Sequence, residues 1–442
     1  MYISKVRLKN IRCFEDETIE LGDSYQSLMV AGNNASGKSS ILRSIALGLC
    51  DEASAGGLIR ELPGDFIRKN SEEDAVIEIE FAKVNGIQWS ILTRLELYEP
   101  LNFERVFQTY LKNGEPEHDW KKFPWEKLFV AGYGAGLRTD GTADYDQYFS
   151  GDAVYTLFKY SQTIQNPELA WRRLESTTDN QKLKEQINKE ISKILHSILD
   201  LDDDSAVRLR PNGIFIVKES QEKSGSKPDE FELGSVGDGY RAITSLIIDL
   251  LSWQLLLQNK DTEDEDNWNP LSLERIEGIA IIDEIEKHLH PKLQRLVIKT
   301  LVDTFPRIQF IISSHSPICI AGSADVEDKF NVYRTLSENG SNSIEKWEHG
   351  LSGMTTDQIL EHFFHVPYIN QGTLTDVENY SRLFLLGEEG RTDTDNDDLS
   401  RLKEKLEKSA SSILQALEGK LIDAIIVEQM EKIEELKKGN ND

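Results

Sequence analysis

Residues 32 to 39 read Gly32-Asn33-Asn34-Ala35-Ser36-Gly37-Lys38-Ser39, and Ser40 follows. This is the G-x-x-x-x-G-K-[ST] spacing of a phosphate-binding loop. Glycines let peptide N–H groups turn inward onto a phosphate, and the N-terminus of a following helix adds positive dipole. In this chemistry Lys38 reaches the β- and γ-phosphates of a nucleoside triphosphate, and the Ser39 hydroxyl ligates Mg²⁺. A chance glycine-rich turn has no need of a strand before it and a helix after it. Here the apolar run Ser27 to Ala31 leads in, and Ser39 to Leu47 reads as a helix leading out.

A second cluster completes the chemistry. Ile279-Ala280-Ile281-Ile282 is an apolar strand that ends in Asp283-Glu284. Asp283 suits Mg²⁺, and Glu284 suits polarisation of an attacking water. The strand Gln309 to Ile312 runs into Ser313-Ser314-His315-Ser316-Pro317. His315 there can sense a γ-phosphate, its neutral imidazole donating one hydrogen bond. Gly237-Asp238-Gly239-Tyr240-Arg241 opens an apolar helix, a terminus suited to a phosphate brought by a second subunit.

These groups need elements to hold them. Residues 1 to about 48 read as strand, hairpin, strand, loop and helix. Ala75–Phe81 and Trp89–Leu92 flank the turn Asn85-Gly86 as a hairpin. Leu128 to Gly134 reads as a strand ending in a glycine-rich bend. Residues 150 to 205 read as helical, most clearly Gln181 to Leu199. Val207–Arg210 and Gly213–Lys218 read as short strands, 219–229 as a polar loop, 239–258 as an apolar helix and 259–269 as an acidic loop. Gly278–Ile282, Ile308–Ile312 and Phe330–Arg334 are strand-like with a helix between the first two, which argues for a parallel α/β sheet. Leu386 to Asp398 is acidic and reads as a flexible linker. Leu399, Leu402, Leu406, Ile413, Leu417, Leu421, Ile425, Met430 and Ile433 then recur at helical spacing, with a bend near Gly419. That arm suits packing onto its own core and partner binding equally.

The chain has 442 residues and a net charge of −27. The charge argues against a protein that coats nucleic acid, because phosphate contacts dominate such affinity. No apolar run reaches the ~20 residues of a membrane span. Met1 to Val6 reads as a first strand, not a signal peptide. Cys13, Cys50 and Cys319 are too few and scattered for a disulfide framework or a zinc site, so a cytoplasmic setting and apolar packing roles are expected.

Lys38 and Asp283 lie 245 positions apart. So long a separation means inserted material, as in ABC-type ATPase heads. The order of Lys9-Asn10-Ile11-Arg12-Cys13-Phe14, the 32–39 loop, Gly237 to Arg241, the run Asp283 to Pro291, and Ser313 to Pro317 resembles the ABC-type ATPases of the RecF, SMC and OLD-nuclease group over residues 1 to 340. The segments Ala131 to Arg138 and Gly353 to Leu360 look most like the PtuA family of the Septu anti-phage system and the ATPases of retron-linked defence modules.

The resemblance implies an α/β fold. It would be an ABC-type P-loop head, a mixed sheet with an antiparallel lobe, carrying an inserted helical region and a C-terminal helical arm. The expected division is 1–149, 150–225, 226–349 and 350–442. It implies ATP and Mg²⁺ as ligands, a head-to-tail dimer and higher assembly, and a partner nuclease of HNH type, with DNA reached through the complex and no membrane. Arg12 would sit near the phosphates, and Glu286 to His290 would face the dimer seam. The function implied is an ATP-hydrolysing regulatory subunit of a defence complex; the alternative is a RecF-like repair ATPase that binds DNA directly.

Three departures bear on this. The signature usually reads Leu-Ser-x-Gly, but Val236 and Gly237 align best and Ser235 stands two places early, which fits slow hydrolysis or ATP used as a switch. No glutamine marks the metal-sensing loop; Asp65-Phe66-Ile67-Arg68 stands near its place. Asp393-Thr394-Asp395 follows Glu388-Glu389 as in a Toprim site, but no apolar strand holds them, so a solvated linker is expected and nuclease activity in this chain is not.

Overall fold

A computed structural model describes residues 1–442 except 23–24, 63–64, 70, 72, 99–102, 137–144, 146, 160, 177–180, 219–228, 259–275, 339–340, 366–370, 409–413, 415–416, 419–420 and 422–442. The acidic loop at 259–269, most of the loop at 219–229, the bend at Gly419 and the arm beyond Leu421 lie outside the described residues. So do Leu137 and Arg138.

The strand that delivers the phosphate loop organises the fold. β3 (Ser27–Gly32) is buried throughout. Its side chains alternate between two cores, Leu28 and Val30 in one and Met29 and Ala31 in the other. Two buried faces demand a central strand in a sheet covered on both sides. That sheet has the order β15-β14-β3-β13-β12-β8. Its strands are β8 (Val130–Tyr133), β12 (Glu277–Ile282), β13 (Arg307–Ser314), β14 (Phe330–Glu338) and β15 (Ser341–Lys346). The first four run parallel with β3, and β15 returns antiparallel.

One face carries α1 (Lys38–Leu49) and a second, antiparallel sheet. The order there is β2-β1-β4-β5-β6-β7. It comprises β1 (Ile3–Ile11), β2 (Phe14–Glu20), β4 (Ala75–Phe81), β5 (Trp89–Tyr98), β6 (Phe103–Lys112) and β7 (Glu115–Glu117). Gln309 ties the two sheets together: its Oε1 accepts from Ile3 N at 2.7 Å and its Nε2 donates to Ile3 O at 2.9 Å. The sequence reading passes over β6, whose outward positions carry Phe103 and Phe107 and so blur the two-residue alternation that marks a strand.

The other face packs the helices Pro167–Ser176, Gln181–Ile198, Asp238–Gln258 and Pro291–Thr304. A three-stranded sheet, β11-β10-β9, joins them, built from β9 (Ser205–Arg210), β10 (Gly213–Lys218) and β11 (Glu230–Glu232). The Asp238 helix has the length and composition of a membrane span, yet its apolar window is 83% buried inside the fold, so it is a core helix. Cys50 and Cys319 are buried as expected, whereas Cys13 is half-buried beside the phosphate loop.

The chain divides into two compact units, Met1–Phe364 and His365–Asp442. In the second, residues 393–408 are helical, not a flexible linker. The reason is a local cap. Thr392 N and Oγ1 donate to Asp395 Oδ2 at 2.9 and 2.7 Å, and Asp395 N donates back to Thr392 Oγ1 at 3.3 Å, a reciprocal N-terminal box. Leu402 and Leu406 of this helix bury against Tyr380 and Leu383 of Gln371–Leu385. Asp395 is thus engaged in a cap.

Candidate nucleotide site

The loop from Gly32 to Gly37 takes its shape from two unusual residues. Ala35 stands at φ 63° and Gly37 at φ 96°, both left-handed. A Cβ on Gly37 would come within 2.5 Å of Phe14 Cζ and 2.8 Å of Cys13 Sγ, so only glycine fits. Gly37 then serves as N-cap of α1, leaving the first N–H groups of that helix without a side-chain cap. Ser36 Oγ donates to Asn33 O at 2.7 Å and shares a 2.5 Å hydrogen bond with Thr335 Oγ1 of β14. Asn33 Nδ2 donates to Phe364 O at 3.1 Å. Asn33, Asn34 and Ala35 are exposed, Ser39 is half-buried and Ser40 is buried.

Lys38 is buried, and its Nζ donates to Gly32 O at 2.8 Å and Asn33 O at 2.7 Å. Burial pulls its ammonium below the ordinary lysine value, against the fields of Asp283, Glu286 and Glu284, which raise it. Those three fields show that the carboxylate cluster lies beside the loop.

The cluster is pinned by Ser313. Its hydroxyl donates to Asp283 Oδ1 at 2.5 Å and accepts from Glu284 N at 2.9 Å. Asp283 N donates to Tyr133 O at 2.8 Å, which carries the backbone across from β12 to β8. Glu284 then turns out of the strand at φ 53°. Its carboxylate stays partly exposed, with Oε2 3.6 Å from Lys287 Nζ.

Glu286 departs from expectation. It is 5% exposed, and its Oε1 lies 2.7 Å from both His315 N and His315 Nδ1. Such an approach to a carboxylate oxygen puts the ring proton on Nδ1. A neutral ring so fixed offers only a lone pair at Nε2; donation to a phosphate takes the doubly protonated ring. In this ring orientation the one N–H of a neutral His315 is directed at Glu286. Of the 286–290 run, Glu286 and Leu289 are buried while Lys287, His288 and His290 are exposed. His290 accepts from Lys292 N at 3.3 Å as N-cap of Pro291–Thr304.

Arg12 stands at φ 45° in the β1–β2 turn, and its N–H donates to Phe66 O at 2.9 Å. The same turn presents Phe14 to Gly37. The 66–68 segment hangs on Glu104, whose Oε1 accepts from Phe66 N and Ile67 N at 2.6 Å.

Gly237, Asp238 and Gly239 fall in a different place. Gly239 sits against the His288 carbonyl, 2.5 Å from an added Cβ, at the N-terminus of the Asp238 helix. Nothing crowds Gly237, and Ser235 Oγ is spent on Glu232 O at 2.7 Å. The structure therefore gathers Lys38, Asp283, Glu284, Glu286 and His315 into one cluster and holds 237–239 against the far end of the 283–289 turn. Sequence reasoning passed over Ser313, Thr335 and the burial of Glu286. The only signal for them was position, since each lies in or just after a strand of the central sheet.

The residues fit a nucleotide phosphate and a divalent ion. Left-handed Ala35 and Gly37 turn peptides toward a buried ammonium, and Asp283 keeps one carboxylate oxygen beyond its bond to Ser313. A family model described as AAA domain matches residues 5–442. The chain belongs to that family. As an AAA-domain protein it is similar to Septu protein PtuA of Bacillus mycoides (strain KBAB4), 23% identical over 92% of this chain and 50% of that protein. It is also similar to the Retron Vc95 probable ATPase of Vibrio cholerae, 24% identical over 72% of each chain. The chain thus spans about half the length of the PtuA relative. An SMC head domain from Thermotoga maritima aligns over 79% of this AAA-domain chain and 100% of its own, at 18% identity and a TM-score of 0.45. The relatives agree with the resemblance to PtuA and to retron-linked ATPases read from the sequence.

Proposed function

We propose that this chain binds and hydrolyses ATP as the regulatory subunit of an anti-phage defence complex, and that closure of a head-to-tail dimer gates a partner nuclease of HNH type. The meeting of Lys38, Asp283, Glu284 and the His315–Glu286 pair at one end of the central sheet carries the reading. The PtuA and retron relatives support its setting.

In this reading Gly32 to Ser40 cradle the phosphates, with Lys38 drawn from the loop carbonyls onto the β- and γ-oxygens. Ser39 and Asp283 hold Mg²⁺, which neutralises phosphate charge when bound. Glu284 accepts the proton of the attacking water, and its partial exposure leaves it room to do so. His315 reports the γ-phosphate through Nε2. Arg12 adds positive charge near the phosphates. Gly237 to Gly239 of a second copy close the cage, and a ligand shifts the assembly only through unequal affinity for its two states.

Direct DNA binding by a basic stripe is less favoured. Arg172 donates to Arg210 O and Arg173 to Tyr145 O, so both guanidiniums are committed internally. The test is Glu284→Gln. It should leave ATP binding within a few-fold, stop turnover and trap a dimer detectable by sedimentation. Turnover at the wild-type rate would overturn the assignment of the base; an unchanged monomer with bound ATP would overturn the gating dimer.

A further inference from the structure

β6 carries a carboxylate on its core-facing side. Glu104 falls in step with Val106 and Tyr110, both buried in the core of the antiparallel sheet. A carboxylate set among apolar neighbours is costly unless it is hydrogen-bonded. Burial raises the Glu104 carboxyl above its ordinary value, against the two peptide N–H groups that it accepts. Those donors are Phe66 N and Ile67 N, each 2.6 Å from the same Oε1. Short bonds to a charged acceptor are among the stronger ones.

The segment so held is itself a clamp. Phe66 O accepts from Arg12 N at 2.9 Å, Arg68 N donates to Asn10 O at 2.8 Å, and Ile67 bridges Ile11 between them. Residues 66–68 therefore back the β1–β2 turn from Asn10 to Arg12. That turn needs backing, because Asn10 (φ 53°) and Arg12 (φ 45°) are both left-handed. Asparagine takes that conformation readily, whereas an arginine there is strained and persists where its surroundings over-determine it. The Arg12 guanidinium lies 5.2 Å from the centre of the fully buried Phe66 ring, and its charge acts on the Glu104 carboxyl. One carboxylate thus fixes both the peptide that Arg12 bonds and the ring it lies over.

The turn runs directly into the phosphate loop. Cys13 and Phe14 close on bare Gly37, where an added Cβ would come within 2.8 Å of Sγ and 2.5 Å of Cζ. Any shift of the turn is felt at the loop. Glu104 stands three strands from β1 in the sheet order, outside the phosphate-loop motif.

We propose that Glu104 is a positioning residue for nucleotide binding. Through residues 66–68 it sets Arg12 and the 10–14 turn against the phosphate loop, so ATP affinity depends on it and the chemical step does not. This role presupposes that residues 32–40 cradle the phosphates with Arg12 beside them, as proposed above.

The test is steady-state ATPase kinetics on the full chain with Mg²⁺. Glu104→Ala should raise KM for ATP about tenfold and leave kcat within about twofold, the mark of binding lost equally in ground and transition states. Glu104→Gln keeps an oxygen for both N–H groups and should hold KM within about twofold of wild type. Arg12→Ala should raise KM as well, and adding Glu104→Ala to it should raise KM little further. An unchanged KM in Glu104→Ala, a Glu104→Gln variant as impaired as Glu104→Ala, or independent losses with Arg12→Ala overturns the proposal. A second measurement uses the wild-type chain alone. ATP with Mg²⁺ should slow hydrogen exchange at the Arg12, Phe66 and Ile67 amides; slowing confined to residues 32–40 overturns the proposal even if Glu104→Ala does not fold. Lys38→Ala separates the two readings. If it binds ATP as tightly as wild type, the phosphate cradle itself is wrong; if it loses ATP while Glu104→Ala keeps full affinity, only the role of Glu104 falls.

Discussion

His315 Nδ1 lies 2.7 Å from Glu286 Oε1, and the same oxygen accepts the His315 peptide N–H at 2.7 Å. One buried carboxylate thus fixes both the backbone and the ring of His315. Glu286→Gln should leave ATP affinity within about threefold and lower kcat by roughly 10- to 100-fold, a loss of about 1.4–2.7 kcal/mol of transition-state stabilisation. His315→Ala should cost a similar factor, and the double variant little more than either single change. Steady-state kinetics on the three variants check this; additive losses would show that the pair does not act as a unit.

Ser313 bridges Asp283 and Glu284 through one hydroxyl. Ser313→Ala leaves a buried carboxylate oxygen and an N–H without that partner, at a cost of about 1–3 kcal/mol. Chemical unfolding should show the loss. The Mg²⁺ concentration that supports half-maximal hydrolysis should shift by several-fold, because Asp283 is no longer oriented. An unchanged Mg²⁺ dependence would remove Asp283 from the metal site.

Two glycine substitutions should go opposite ways. Gly37→Ala meets Phe14 at 2.5 Å with φ at 96°, and should destabilise the fold and abolish ATP binding. Gly56→Ala enters open space in a helix and should stabilise by about 0.5–1 kcal/mol with unchanged ATP affinity. Thermal melts and nucleotide titration separate the two.

Asp249 sits fully buried in the Asp238 helix, where burial pushes its carboxyl up from 3.8 to about 7, against a hydrogen bond from Gln165 N. Between those values the folded chain holds a proton that the unfolded chain has released. Stability from this group is therefore complete below about pH 4 and is lost as pH rises toward 7, at up to roughly 1.4 kcal/mol per unit. Asp249→Asn keeps an acceptor for Gln165 N and removes the titration. Its stability relative to wild type should improve from pH 5 to about pH 7 and then level off in denaturant titrations; a constant difference would contradict the assignment.

The phosphate loop, the Asp283-Glu284 strand and the parallel sheet were legible because each is written in contiguous residues of one period. Ser27 to Ala31 reads as buried on both faces from its letters alone. The Ser313 staple and the Glu286–His315 pair were not legible, because they join residues about 30 positions apart through side chains whose direction depends on packing. β6 was hidden by its exposed aromatics. The helix at 393–408 was hidden by composition: acidic letters suggested a linker, while a four-residue cap and the Leu402–Leu406 stripe decided otherwise.

The Ser36–Thr335 hydrogen bond spans 299 residues of sequence. β3 also takes both its sheet neighbours, β13 and β14, from the far end of the first unit. The loop motif is therefore synthesised well before the strands that surround it. A nascent chain that has not yet released residue 335 carries the motif without the strand that latches it. Nucleotide affinity should appear late in synthesis and abruptly, so ATP can stabilise only chains whose central sheet is already complete.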